Sequence, residues 1–124
     1  MNINSPLITV IDDDESVRES LPDLIREFGF SVNSFASAEA FLESDALEFT
    51  DCLILDIGMP KMSGPDLQIE LKRRQQKIPI VFITANVEET DRHGLIKNGA
   101  IDCLFKPFTD TDLIRAVNTA LQTG

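Results

Sequence analysis

A chain of 124 residues with a formal net charge of −10 is long enough for one ordinary core and too short for two. An apolar fraction of 43% with mixed charge excludes a disordered tail. No apolar run reaches membrane-spanning length, and the opening MNINSPL lacks the basic start and long apolar stretch of a secretory signal, so the default location is the cytoplasm.

From the N-terminus, LITVI (7–11) is a short β-branched apolar run and reads as a buried strand. DESVRESLPDLIREFG (14–29) places Val17, Leu21, Leu24, Ile25 and Phe28 at helical spacing and stops at Gly29. Pro22 inside that pattern removes the backbone bond to the Arg18 carbonyl, and a kink is expected there. SVNSF (31–35) alternates like a more exposed strand. SAEAFLES (37–44) is a short helix with Ser37 as N-cap and Ala40 and Phe41 facing inward.

The second half repeats the alternation. CLILD (52–56) is a buried strand, and Pro65 suits the first turn of a helix carrying Leu67, Ile69 and Leu71. IPIVFIT (78–84) is another buried strand, and VEETDRHGLIKNG (87–99) a weaker helix closed by Asn98 and Gly99. CLF (103–105) is a fifth strand. TDTDLIRAVNTALQ (109–122) starts on a cap-like Thr109 and buries Leu113, Ile114, Val117 and Leu121.

Five apolar strands joined by five helical crossovers predict an α/β chain with a parallel sheet covered on both faces. At this size the flavodoxin-like order 2-1-3-4-5 leads. That order puts two strand spacings of about 4.8 Å between Cys52 and Cys103, beyond disulfide reach. Both read as core thiols of a reducing compartment.

In such a sheet ligands bind beyond the carboxyl ends of the strands, at the switch between strands 1 and 3. Strand 1 ends here in Asp12, Asp13 and Asp14, strand 3 in Asp56 and strand 4 in Thr84. Strand 5 leads into Lys106 and Pro107. Two unit charges about 4 Å apart repel by roughly 4 kcal/mol at an effective dielectric near 20, so three carboxylates on one rim need a cation. An open, all-oxygen site suits Mg²⁺ better than a caged Ca²⁺. A carboxylate beside Mg²⁺, with a hydroxyl and an ammonium nearby, suits attack on phosphorus. Asp56 is the nucleophile to choose, since it stands alone on the central strand. Gly58 after it lets backbone approach, and its carbonyl is a candidate ligand. Singly, each signal has a bland reading: a helix cap, a strand end, a solvated lysine. Jointly they favour phosphoryl acceptance.

The motifs TVIDDDESVR, LILDIGMPKMSGPDL, PIVFITA and GAIDCLFKPF, in that order and spacing, resemble the receiver domain of bacterial two-component response regulators (the CheY-like fold) from about Leu7 to Leu121. SAEAFL and MSG are most similar to the FixJ/NarL-type transcription regulators. The resemblance implies that Asp56 takes phosphate from a sensor histidine kinase or a phosphotransfer protein. It implies Mg²⁺, with Mn²⁺ as a substitute, held by Asp13, Asp56 and the Gly58 carbonyl, with Asp12 acting through metal-bound water. It further implies that Thr84 meets the phosphoryl group, that Lys106 pairs with it, and that the Lys106–Pro107 bond is cis. Asp14 falls outside this set and reads as a helix cap.

Residues 1–124 are then expected to be a single receiver without an output domain, either a stand-alone regulator or part of a longer one. It would be a phosphorylated switch rather than a turnover enzyme. Homodimerisation on phosphorylation is a further expectation; direct contact with nucleic acid or membrane is not, at this charge. The expected signalling face is the fourth helix, fifth strand and fifth helix, with Val87, Leu95, Ile96, Cys103 and Phe105.

The sequence departs from the receiver pattern in two further places. Many receivers carry an aromatic residue where Cys103 stands, so the usual aromatic gate is missing; either the pocket is roomier or the thiol simply fills it. The fourth helix has Val87 as its only apolar residue from Asn86 to His93 and Gly94 at its middle, about 1 kcal/mol worse than alanine. It is expected either to shift easily or to be a solvated helix with no special mobility. His93 has no Cys or His neighbour and reads as a surface residue. A phosphatase of the haloacid dehalogenase type would want a second acid where Gly58 stands. A nucleotide-binding module would want a glycine-rich turn where the chain has Asp12 to Asp14.

Overall fold

The computed structural model describes residues 5–86, 88 and 90–123. Strands β1 (Leu7–Ile11), β2 (Ser31–Phe35), β3 (Cys52–Asp56), β4 (Ile80–Thr84) and β5 (Asp102–Phe105) form one parallel sheet in the order β2-β1-β3-β4-β5. This is the flavodoxin-like order that the alternating pattern predicts. The helices are α1 (Glu15–Glu27), α2 (Ala38–Leu42), α3 (Ala46–Phe49), α4 (Gly64–Arg73), α5 (Arg92–Lys97) and α6 (Asp110–Thr123).

The period-2 pleat of the strands divides the core in two. Leu53 and Leu55 of β3 and Phe82 of β4 pack with Phe41, Leu67, Leu71 and Leu95, beneath α2, α4 and α5. The intervening Cys52, Ile54, Val81 and Ile83 pack with Leu21, Ile25, Leu113 and Val117, beneath α1 and α6. Each fully buried Leu or Ile contributes about 1.5–3 kcal/mol, so the central strands anchor both layers. Cys52 and Cys103 are free and lie in opposite layers. Burial pushes the first thiol up to about 12 and the second to about 11, which leaves both inert.

Several local expectations are corrected. Residues 46–49 form the extra helix α3, closed where Thr50 Oγ1 donates to the Ala46 carbonyl at 2.7 Å and meets Thr9 Oγ1 at 2.7 Å. The short segment is shaped by that buried pairing rather than by an apolar stripe. In α2 the buried residues are Ala38 and Phe41, and Ala40 is exposed. Phe28 is 49% exposed because it caps α1 at its C-terminus, and Ile69 is 63% exposed on the outer side of α4. The helix expected across Pro22 is present: α1 continues through the proline, which is itself buried.

The helix expected over 87–99 is shorter. It begins at Arg92, because Asp91 caps it by accepting from the Gly94 amide at 2.9 Å. A Cβ on Gly94 would collide with that carboxylate, so the glycine that reads as a weakness makes room for the cap. Val87 lies outside the described residues.

Candidate functional site

The carboxyl ends of β1 and β3 stand side by side because Ile11 is level with Leu55. The next residues, Asp12 and Asp56, therefore leave the sheet as neighbours in the same pleat phase. With Asp13 they bring carboxylate oxygens within 4.8 Å of one another. Asp12 is fully buried and Asp56 only 9% exposed, while Asp13 faces solvent. Asp14 turns away to cap α1, accepting from the Ser16 amide at 2.9 Å and the Ser16 hydroxyl at 2.7 Å. These bonds hold its carboxyl below the usual range. The run of three acids thus divides into two that face the rim and one that starts a helix.

Burial first, and then the charge of Asp12, push the Asp56 carboxyl up to about 7; Lys106 opposes the shift and a hydrogen bond with Asp13 adds to it. Lys106 comes from the other end of the rim, where Thr84 is level with Phe105 and the lysine follows. Its ammonium donates to Asp12 Oδ2 at 3.2 Å. The Lys106–Pro107 peptide is cis. The three carboxylates and the lysine sum to −2 when all are ionised, and every potential ligand is oxygen. That donor set fits a hard divalent cation such as Mg²⁺.

The loop after Asp56 is pinned at three points. Gly58 donates its amide to Asp56 Oδ1 at 3.4 Å. Glu39 of α2 accepts from the Met62 amide at 3.2 Å. Gly64 donates to the Ile57 carbonyl at 3.0 Å as it opens α4, which Ser63 and Asp66 cap reciprocally. A Cβ on Gly64 would overlap the Asp56 carbonyl oxygen and stand 3.0 Å from both the Ile57 Cα and the Phe82 ring. This glycine lets the helix start directly against the end of β3.

Thr84 is 3% exposed and turned from the acids. Asp56 is level with Ile83, so Thr84 is one pleat step out of phase with it. Of the residues expected on the signalling face, Leu95 and Cys103 are core residues, 7% and 2% exposed. Ile96 and Phe105 are partly exposed. Cys103 packs against the α4–α5 layer as a filler. Arg92 reaches over it, donating from Nη2 to Asp102 Oδ1 at 2.7 Å and from Nε to the Cys103 carbonyl at 3.4 Å.

Four contributors escape the sequence reading. Arg18 donates from Nη1 to the Asp12 carbonyl at 2.8 Å; its place one turn after the Asp14 cap is a signal that helical spacing could have used. Glu39, and Thr90 whose Oγ1 stands 3.5 Å from Thr84 Oγ1, carry no sequence signal, since their places depend on the path of loops. Gly64 belongs to the MSG motif, but its close approach to β3 appears only in three dimensions.

The family model described as "Response regulator receiver domain" matches residues 8–118. The response regulator protein TmoT of Ectopseudomonas mendocina is 43% identical over 122 residues, covering 98% of this chain and 56% of the relative. The transcriptional regulatory protein FixJ of Azorhizobium caulinodans is 37% identical over 114 residues, covering 92% of this chain and 54% of the relative. The solved structure of the response regulator StyR superposes with a TM-score of 0.89 at 44% identity, covering 96% of this chain and 60% of that one. The chain therefore spans a little over half the length of these curated relatives.

Proposed function

Because the chain belongs to the response regulator receiver domain family, we propose that Asp56 accepts a phosphoryl group from a sensor histidine kinase or a phosphotransfer protein. The observation that carries this reading is the placement of Asp56. It is nearly buried at the tip of the central strand, beside Asp12, Asp13 and a paired lysine. A purely structural strand end would not collect three acids at such a cost in repulsion.

The residues divide the work. An Asp56 carboxylate oxygen attacks phosphorus, the new O–P bond forms, and the bond to the donor's nitrogen or oxygen breaks in line with it. Lys106 stands where its ammonium can leave Asp12 for the incoming phosphoryl oxygens, and Thr84 has a hydroxyl to donate to them. Asp13, Asp56 and the Gly58 carbonyl would hold Mg²⁺ or Mn²⁺, with Asp12 acting through metal-bound water. Such an ion would neutralise the crowded acids and the phosphoryl charge. The same residues serve the later hydrolysis, so the chain is a self-modifying switch rather than a turnover enzyme.

Beside Lys106 a groove of about 410 Å³ is lined by Val17, Leu21, Leu24, Pro107 and Phe108. It offers the donor protein an apolar seat within reach of the acceptor. The output is proposed to be control of a transcriptional module or partner through α5, β5 and α6, by analogy with FixJ, with homodimerisation as one route. A stand-alone regulator acting by protein contact is the alternative. Among the described residues no helix is long and apolar enough to cross a membrane.

Incubation with acetyl phosphate and Mg²⁺ is expected to add one acid-stable, base-labile phosphoryl group, absent in Asp56→Asn. Labelling that persists in that variant would move the acceptor elsewhere.

A further inference from the structure

The loop between β4 and α5 closes on Thr84 through hydroxyl groups. The Asn86 amide donates to Thr84 Oγ1 at 3.0 Å. Thr90 Oγ1 stands 2.5 Å from the Asn86 carbonyl and 3.5 Å from Thr84 Oγ1. A threonine hydroxyl has one proton. Thr90 shares that proton between the Asn86 carbonyl and, through the longer contact, Thr84 Oγ1. Thr84 Oγ1 is thus held in the loop at two points, by the Asn86 amide and by the Thr90 hydroxyl. The pleat reinforces the arrangement, since Thr84 shares the phase of Phe82 on the α4–α5 layer and is out of step with Asp56.

We propose that Thr90 is a positioning residue that holds the Thr84 hydroxyl in its resting place. Breaking the 3.5 Å contact is then the event that passes phosphorylation at Asp56 into the β4–α5 segment. The inference rests on the phosphoacceptor reading above and extends it to the readout. With Cys103 packed as a core filler, no ring stands at that position to couple Thr84 to the surface. The path through Thr90 needs none, because Thr90 lies one residue before the Asp91 cap and two before Arg92, whose guanidinium pairs with Asp102 on β5. A displaced Thr90 pulls directly on the start of α5.

The contact is at the long end of hydrogen-bond geometry, so it biases the switch without locking it. Losing it lets Thr84 reach the rim at lower cost. The alternative role for Thr90 is local: its bond to the residue 86 carbonyl only shapes the turn. Calorimetric titration of the intact chain with beryllofluoride in excess Mg²⁺ separates the two roles, and suits a protein without Trp or Tyr to report by fluorescence.

Thr90→Val, with Thr90→Ala as a second variant, is expected to bind the mimic roughly fivefold more tightly than wild type. Thr90→Ser, which restores the hydroxyl, is expected to match wild type. In a Thr84→Ala background Thr90→Val is expected to change nothing. Unaltered or weaker binding by Val and Ala, or an equal gain in the Thr84→Ala background, would overturn the assignment. Failure of the wild type to bind beryllofluoride would instead overturn the phosphoacceptor reading beneath it.

Discussion

The Lys106 ammonium is paired with Asp12, at 3.2 Å, and not with the proposed acceptor Asp56. Asp12 is fully buried, so in the resting protein this lysine compensates a carboxylate that water does not reach. On the proposed function, transfer of the lysine to a phosphoryl group would depend on another positive charge taking over at Asp12. A divalent cation among Asp12, Asp13 and Asp56 meets that requirement.

Truncation of the lysine is therefore expected to cost stability as well as signalling. Lys106→Met should lower the unfolding free energy by about 2 kcal/mol, since it strands a buried charge, with partial solvent access to the lysine keeping the loss moderate. Mg²⁺ should restore more stability to this variant than to wild type. Urea unfolding with and without Mg²⁺ measures both; an equal gain for the two proteins would contradict the shared-countercharge view.

The raised pKa of Asp56 gives a pH dependence with a definite sign. Its carboxyl titrates near 7 in the folded chain, against an ordinary value of 3.8, so the folded state binds the proton more tightly than the unfolded state. The penalty is absent at low pH, grows as pH rises from about 4 to about 7, and then levels off. Without divalent cations Asp56→Asn should match wild type near pH 4 and exceed it in stability above pH 7. Parallel unfolding profiles for the two proteins would refute the shift.

Repulsion among the acids also predicts the response to metal. Mg²⁺ should raise the melting temperature of wild type. Asp13→Asn should raise it in the absence of metal, by removing one like charge, and should weaken the response to Mg²⁺. Thermal scans across a Mg²⁺ titration test this, and a flat response in wild type would count against the metal site.

Two glycines would each bring a new Cβ into collision, with unequal expected consequences. At Gly64 the obstacles are the Asp56 carbonyl, the Ile57 Cα and the Phe82 ring, none of which can give way cheaply. Gly64→Ala should destabilise by about 2–3 kcal/mol and slow phosphoryl uptake by displacing the acceptor strand. At Gly94 the obstacle is the end of the Asp91 side chain. Gly94→Ala should lose that cap, about 1 kcal/mol, and regain about as much in helix propensity. Its unfolding free energy should stay within roughly 0.5 kcal/mol of wild type.

Most of the architecture was legible in the sequence because the strands carry their own signal. Continuous runs such as CLILD and IPIVFIT can only be buried on both faces, and that fixes a parallel sheet with helices on either side. The acids and Lys106 were legible as well, since each sits where its strand ends and all strands of such a sheet end on one rim. Phe28 was misplaced because it stands at the C-cap of α1, and Ala40 and Ile69 because a short helical pattern does not fix which neighbours it meets. The helix expected from Val87 was overestimated for a related reason: its start is set by the Asp91 cap, a single local bond.

By itself, then, the chain determined its topology and the place where its carboxylates meet, through hydrophobic pattern and strand order. Only the tertiary structure decided how those groups are partnered: Lys106 on Asp12, Gly64 against β3, Thr90 against Thr84. The reason is physical. Burial patterns are periodic and are written along the chain, whereas a hydrogen bond of about 3 Å depends on register and loop path between residues distant in sequence.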